Sequence, residues 1–134
     1  AEIMQIYRQR PTLGGGRSGA AEVQERLLAD IRESHCGLLP DSQLPAMLAV
    51  QQQRDRRMAE ALLAAPQPSL LLAGAFHVRK DLGVPLHLTD LGAHAGSTVL
   101  ILAEVGRQVD ASMADYVWFT AAQPEQDHCA KLRP

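Results

Sequence analysis

Aromatic residues are scarce in this chain of 134 residues, at 4 %, with one Trp, two Tyr and two Phe. Proteins that bind single-stranded nucleic acid by base stacking need aromatic platforms, so this composition disfavours that class. The formal net charge of -2 also provides no excess of positive charge to attract a phosphate backbone. We therefore expect no nucleic-acid partner and a core built from Leu, Ala, Val and Ile.

Long apolar runs and cysteines are also few. No run approaches the roughly 20 apolar residues that span a bilayer. The two cysteines, Cys36 and Cys129, lie far apart and form no CxxC or Cys/His zinc spacing. They are compatible with one long-range disulfide in an oxidising compartment or with two buried thiols. Phosphate-loop, dinucleotide-binding, GxSxG and HExxH motifs are absent.

The content of hydrophobic residues, 46 %, is typical of a globular chain. Residues 1–19 predict a short helix followed by a Gly-rich linker. Residues 20–65 predict a helical portion, because apolar side chains recur every fourth residue at Val23, Leu27 and Ile31. Residues 66–134 predict a βαβ and C-terminal strand portion of the same α/β domain.

Three segments of this last portion read as strands. Residues 69–73 and 98–105 flank a short helix predicted over 84–91, and this order favours a right-handed βαβ unit with parallel strands. Residues 115–120 predict a final strand, which we expect at an antiparallel edge. The predicted fold class is α/β, with a partly parallel sheet and flanking helices. Three strands are few for such a sheet, so we expect the C-terminal part of a larger α/β domain with a helical addition.

His77 is the first candidate site residue, because it follows the predicted strand 69–73. Ligands of open α/β sheets bind beyond the carboxyl ends of parallel strands. Gly74 would allow a sharp turn or the close approach of a ligand, and Arg79 would add positive charge for an anionic group. The imidazole could ligate a metal, transfer a proton or hold a propionate or phosphate. The alternative is a loop histidine beside solvated charges.

Two polar residues on the second predicted helix interrupt an apolar face. Gln51 and Asp55 lie between Met47 and Met58 at spacings of three and four residues. Buried polar groups need partners, so we expect them to brace the loop that carries His77. The alternative is a half-exposed helix edge. The methionines are expected in the core, with Met58 supporting the site.

Other candidates carry weaker signals. His35 ends an apolar helical stripe, where an imidazole is favoured by the helix C-terminus or faces a pocket. Tyr7 could act as a phenolate ligand, or pack near a helix end. For His87, His94 and His128 we expect exposure to solvent.

Several ordered segments together resemble a known family. They are ESHCGLLP at 33–40, QQQRDRRMA at 51–59, LLLAGAFHVRKDLGVPLHL at 70–88, and DYVWFT at 115–120 with the later DHC at 127–129. This set is similar to the ChaN-like haem-binding, iron-regulated lipoproteins, from about residue 22 to the end of the chain. The AGxxHVRxDxGVP pattern is its strongest part. The family usually has Asn-Gly where this chain has Ala75 and Phe76.

The resemblance implies a non-catalytic haem-binding protein of bacterial iron and haem uptake. Haem would be the cofactor, held by residues drawn from His77, Arg79, His35 and Tyr7. It further implies a homodimer, partners among haem-uptake components, and a cell-envelope location, periplasmic or as an outer-membrane lipoprotein. A lipid-bearing cysteine and a first GExH-type motif would lie upstream of residue 1.

One consequence and two alternatives accompany this expectation. An envelope location would permit a disulfide between Cys36 and Cys129. The first alternative is a metal-dependent hydrolase of the wider GxxH superfamily, with His77 as a metal ligand. The second is an interaction module of the cell envelope.

Overall fold

The computed structural model describes residues 14–93 and 96–132. The elements are α1 (Ala21–Ser34), a 3-10 turn (Asp41–Gln43), α2 (Leu44–Ala64), α3 (Ala75–Val78), α4 (Val84–Asp90), β1 (Leu100–Glu104) and β2 (Tyr116–Thr120). The predicted α/β class, with a partly parallel sheet and flanking helices, is confirmed. The helix predicted within residues 1–19, with Tyr7, lies outside the described residues.

The long helices α1 and α2 pack against each other through aliphatic side chains. The apolar repeat of α1 places Leu27 and Ile31 against Leu44 and Leu48 of α2, and Leu82 completes this cluster. Leu82 is buried to 1 % exposure, so it fixes the loop after α3 onto both helices. The apolar stripe of α1, predicted from the sequence, therefore holds together both long helices and the loop that carries His77.

A second cluster joins α2 to α4, where Ala59 packs against Val84 and Leu88. His87 on α4 is 1 % exposed, so the expectation of a solvent-exposed His87 is wrong. His87 lies three residues after Val84, so the helical repeat places it on the same buried face, toward α2. His128 is exposed, as expected, and His94 lies outside the described residues.

The sheet consists of β1 and β2 paired in parallel, with Leu100 opposite Tyr116 and Leu102 opposite Trp118. The expectation of an antiparallel final strand is therefore wrong. The loop between the strands returns the chain to the start of β1, where the carbonyl of Val99 accepts hydrogen bonds from the amides of residues 115 and 116.

Residues 69–73 take no part in this sheet, so the strand expected there is not formed. Leu70 and Leu72 are 82 % and 86 % exposed, whereas Leu71 packs on the α2–α4 cluster. The side chains of this segment alternate between exposed and packed positions as in a strand, although the segment is not paired with a neighbouring strand among the described residues. Strand preference in an apolar run depends on such neighbours, and the described residues supply none here.

The glycine-rich segment before α1 forms a turn held by Asp90. The amides of Arg17 and Ser18 donate to the Asp90 carboxylate at 2.7 and 2.9 Å, and the Ser18 hydroxyl donates at 2.6 Å. Burial alone would raise the pKa of Asp90, but these hydrogen bonds lower it below its usual value. Gly16 has φ +65°, and a Cβ there would lie 2.6 Å from the Asp90 carboxylate, so glycine is required.

Cys36 and Cys129 form a disulfide, one of the two alternatives that the sequence left open. It joins the residues after α1 to the C-terminal tail across 93 positions of sequence. The tail from residue 121 is otherwise exposed, so the disulfide is a main attachment of this segment.

A histidine–aspartate pair beside an open cavity

A cavity of about 270 Å³ lies between α1, α2 and α3. Its lining combines apolar side chains with carboxylate, hydroxyl, amide and imidazole groups. The lining residues are Leu27, Asp30, Ile31, Ser34, Gln51, Gly74, Phe76 and His77. The structure therefore places three residues singled out from the sequence, His77, Gln51 and Gly74, at one cavity.

The backbone around His77 is held from several sides. Its amide donates to the carbonyl of Gly74 at 2.9 Å in the single turn of α3. A Cβ at Gly83 would lie 2.1 Å from the carbonyl oxygen of His77, so only glycine permits this close approach. The amide of Lys80 donates to the carbonyl of Met113 at 2.8 Å, which ties the same loop to the segment before β2.

His77 makes its main side-chain contact with Asp55. Its Nδ1 lies 2.6 Å from Asp55 Oδ1, and the Asp55 side chain has no exposed surface. Two polar atoms this close require a proton between them, and we place it on Nδ1, donating to the carboxylate. Nε2 is then the atom left for a ligand. Gln51 Nε2 lies 3.1 Å from the same Nδ1 and 3.5 Å from Asp55 Oδ2, where its NH₂ group can donate only to the carboxylate.

Two carboxylates lie at the site, Asp30 in the cavity lining and Asp55 against His77. Burial raises the pKa of Asp55, although the hydrogen bond from His77 opposes this effect. Burial also raises the pKa of Asp30, against the charge of Arg79. Among the described residues, Asp30 Oδ2 has no hydrogen-bond partner despite being buried; the nearest cation is Arg79 Nη1, 3.7 Å away. A residue of the cavity lining therefore carries a buried oxygen without a hydrogen-bond partner among the described residues.

Arg79 is bonded to Asp81 and does not line the cavity. Its Nε and Nη2 donate to the two oxygens of Asp81 at 2.6 and 2.7 Å. Arg26 donates to the same carboxylate at 2.7 Å. The hydrogen bond to Asp81 raises the pKa of Arg79. A bidentate arginine of this kind is held firmly, which limits its reach toward a bound anion.

Of the other sequence candidates, Gly74 lines the cavity, whereas His35 and Met58 are not among its lining residues. His35 Nδ1 lies 2.7 Å from the carbonyl oxygen of Ile31, to which it donates at the C-terminal end of α1. Met58 packs on the α2–α4 cluster, as expected for a supporting core residue. Gly74 has φ -60°, a value open to any residue, so its conformation does not require glycine. Tyr7 lies outside the described residues.

Four residues of the site were missed by the sequence reasoning. Asp30 and Ser34 follow Leu27 by three and seven positions, a spacing that places them on the same helical face. That periodicity could have identified them. Phe76 was noted only as a departure from the family pattern, and it forms part of the cavity wall. No spacing identifies Gly83, because the need for glycine arises from a contact with the backbone of His77.

Metal and membrane features are limited within the described residues. Across residues 14–93 and 96–132, no cluster of three or more His, Cys, Asp or Glu side chains could hold a metal ion. None of the helices described is long and apolar enough to cross a bilayer.

Residues 5–88 match the family model described as "Haem-binding uptake, Tiki superfamily, ChaN". This chain belongs to the ChaN family of haem-binding uptake proteins. The match includes the helices that line the cavity, the His77 loop and most of α4.

One solved structure supports the same assignment. It is described as "Cofacial heme binding to ChaN of Campylobacter jejuni", and it matches with a TM-score of 0.76 and 36 % sequence identity. The match covers 87 % of this chain and 46 % of that protein, so this chain spans less than half of the length of that ChaN. A comparison with curated proteins returned no match.

Proposed function

We propose that this protein binds haem without catalysing a reaction, and that His77 Nε2 is the atom offered to the iron. The observation that carries the proposal is the 2.6 Å contact between His77 Nδ1 and the fully buried Asp55. Histidines that ligate metals typically donate their other ring N–H to a carboxylate, which fixes the tautomer and raises the basicity of the ligating nitrogen. Haem supplies an iron centre that accepts an axial nitrogen.

The wall of the cavity fits part of a porphyrin. Leu27, Ile31 and Phe76 provide apolar surface beside His77, and haem sites combine such walls with a few placed polar groups. The volume of about 270 Å³ is below the roughly 300–1,000 Å³ of ordinary ligand sites. The cavity would therefore enclose the region around the iron and leave much of the porphyrin outside.

The charges around the cavity give a direction to the bound haem. Among the described residues, its lining contains Asp30 and no lysine or arginine, and the Asp55 carboxylate contacts His77. Two propionates would be repelled by these carboxylates. The apolar edge of the porphyrin would enter first, and the propionates would remain near solvent. Arg79 would act mainly through Asp30 and Asp81, whereas His35 and Tyr7 are secondary candidates for the exposed side of the porphyrin.

A partly enclosed haem also suggests how the protein is organised. A second copy of the chain could cover the exposed part of the porphyrin, so we propose a homodimer in the haem-bound form. The family is one of haem uptake, which supports partners among uptake components and a cell-envelope location, periplasmic or attached through a lipid anchor. The similar protein is described as binding haem cofacially, which is consistent with haem near an interface.

Haem titration followed by absorption tests this proposal. We expect a shift of the Soret band with the unaltered protein and its loss with His77→Ala. Asp55→Leu should weaken haem binding about 10- to 100-fold, the usual effect of removing the carboxylate behind a ligating histidine. His128→Ala is the matched control, because it removes an exposed histidine, and it should titrate as the unaltered protein does.

The proposal is abandoned if haem gives no Soret shift, or if His77→Ala titrates like His128→Ala. Metal analysis and an esterase and peptidase screen of the same samples address the hydrolase alternative. A stoichiometric metal with hydrolysis lost in His77→Ala would replace haem binding by that function. Sedimentation with and without haem reports the dimer separately.

A further inference from the structure

Phe76 is an exposed aromatic side chain in the wall of the cavity beside His77. It is 57 % exposed and stands in the single turn of α3, directly before His77. Aromatic residues are scarce in this chain. The other aromatic side chains of the described residues all lie on β2; they are Tyr116, Trp118 and Phe119. The cavity therefore contains the one aromatic side chain that the described part of the chain places outside β2.

Phe76 also supplies most of the apolar side-chain surface that a ligand in this cavity would meet. The other large apolar side chains of the lining, Leu27 and Ile31, are only 4 % and 8 % exposed. Both belong to the core between α1 and α2, so they leave little surface for a ligand. Apolar burial stabilises a complex in proportion to the area removed from water. A ligand of this cavity therefore gains mainly by covering the ring of Phe76.

The polar groups of the lining leave the conjugated ring as the part of a porphyrin that the cavity can hold. Within the described residues, the lining contains the carboxylate of Asp30 and no cationic side chain for a propionate. The imidazole of His77 serves only a porphyrin that carries a metal. Aromatic side chains stack on conjugated rings in an offset arrangement. Since Phe76 and His77 are consecutive residues of one cavity wall, a planar ring held at the imidazole lies within reach of Phe76.

We propose that Phe76 stacks on the face of the porphyrin, and that this contact makes metal-free porphyrins ligands of the cavity as well as haem. The inference rests on the proposal that haem binds at this cavity, and it adds a class of ligand that needs no iron. His77 contacts the iron, whereas Phe76 contacts the conjugated ring, which haem and protoporphyrin IX share. Loss of the stacking contact should therefore weaken the binding of both porphyrins by a similar factor.

Titration with protoporphyrin IX, the iron-free form of the haem ring, separates the two contacts. The full-length protein is titrated with protoporphyrin IX by fluorescence and with haem by absorption. Phe76→Leu keeps an apolar side chain and removes the aromatic ring, so it should weaken the binding of both porphyrins by about 3- to 10-fold, the usual contribution of an aromatic stacking contact. Phe76→Tyr keeps the ring and should retain the affinity for both. His77→Ala should weaken the binding of haem by a much larger factor than that of protoporphyrin IX.

Phe119→Leu is the matched control, because it makes the same substitution at a side chain that is 52 % exposed on β2. It should bind both porphyrins as the unaltered protein does. The inference is overturned if protoporphyrin IX does not bind, if Phe76→Leu binds it like Phe119→Leu, or if Phe76→Tyr binds it as weakly as Phe76→Leu. In each of these cases, loss of haem binding in His77→Ala would still support the haem site. If His77→Ala binds haem normally while Phe76→Leu weakens both porphyrins, the iron ligand is wrong and the stacking contact is supported.

Discussion

The buried histidine of α4 should make the stability of this protein depend on pH. His87 is 1 % exposed and its Nδ1 is buried without a hydrogen-bond partner among the described residues. Burial lowers the pKa of His87 from 6.5 to about 4, against the attraction of Asp90, while Arg56 adds to the lowering. A shift of one pKa unit corresponds to about 1.4 kcal/mol, so the protonation of His87 changes the free energy of unfolding by about 3 kcal/mol at most.

The direction of this pH dependence follows from proton uptake by His87 in the unfolded chain. Between pH 6.5 and about 4 the unfolded chain protonates His87, whereas the folded chain keeps it neutral. Stability is therefore complete above pH 6.5, falls as the pH drops through this window, and levels off below about 4. The raised pKa values of Asp30 and Asp55 act in the opposite direction. These two carboxyl groups add stability as the pH falls, so the pH dependence of the free energy of unfolding does not report the contribution of His87 alone.

A leucine substitution isolates it. His87→Leu keeps a side chain of similar size and removes the buried nitrogen without a partner, so at pH 7 it should change stability by no more than about 1 kcal/mol or stabilise the protein. The gap between this variant and the unaltered protein should widen by about 3 kcal/mol toward pH 4. Urea unfolding at a series of pH values measures it, with His128→Leu as the exposed control. Parallel curves for His87→Leu and the unaltered protein would refute the reasoning.

Two further predictions concern the supports of the site. Replacing Cys36 and Cys129 together by serine should lower the free energy of unfolding by up to about 4.7 kcal/mol, because the disulfide removes the entropy of closing a loop of about 100 residues from the unfolded chain. Denaturant midpoints measured with and without reductant check this value. An unchanged midpoint contradicts it. Gly83→Ala should shift the His77 loop and weaken haem binding at least tenfold, because its Cβ would lie 2.1 Å from a backbone oxygen. The control is Gly96→Ala, where a Cβ meets nothing within 4 Å, and it should bind haem as the unaltered protein does. Equal affinities of the two variants for haem would exclude this role of Gly83.

The part of the site formed by helix α2 was predictable because helical spacing is local. Gln51 and Asp55 are four residues apart on a face that is otherwise apolar, which predicts partners for them. In the structure, His77 donates to Asp55, and the Gln51 amide donates to the same carboxylate. The same reasoning applied to α1 would have added Asp30. The amphipathic pattern therefore contains most of the cavity wall.

Contacts between distant segments were not predictable in the same way. The parallel pairing of β2 depends on how the loop after β1 returns to Val99, and strand composition does not encode that path. The burial of His87 depends on which face of α4 meets α2. Residues 69–73 have the composition of a strand, but pairing requires a neighbour that the described residues lack.

The arrangement of polar groups argues for a functional cavity independently of the family. A fully buried carboxylate such as Asp55 is costly, and an apolar side chain of similar size would usually stabilise a core as well or better. Asp30 Oδ2 is buried without a hydrogen-bond partner among the described residues, and Asp30 lines the same cavity. Two carboxyl groups whose pKa values are raised by burial, one bonded to His77 and one in the cavity lining, are expected where a ligand is bound rather than where only packing is needed. The stability of the protein should therefore rise, and its affinity for haem fall, when Asp55 is replaced together with His77 by apolar residues that fill the same space.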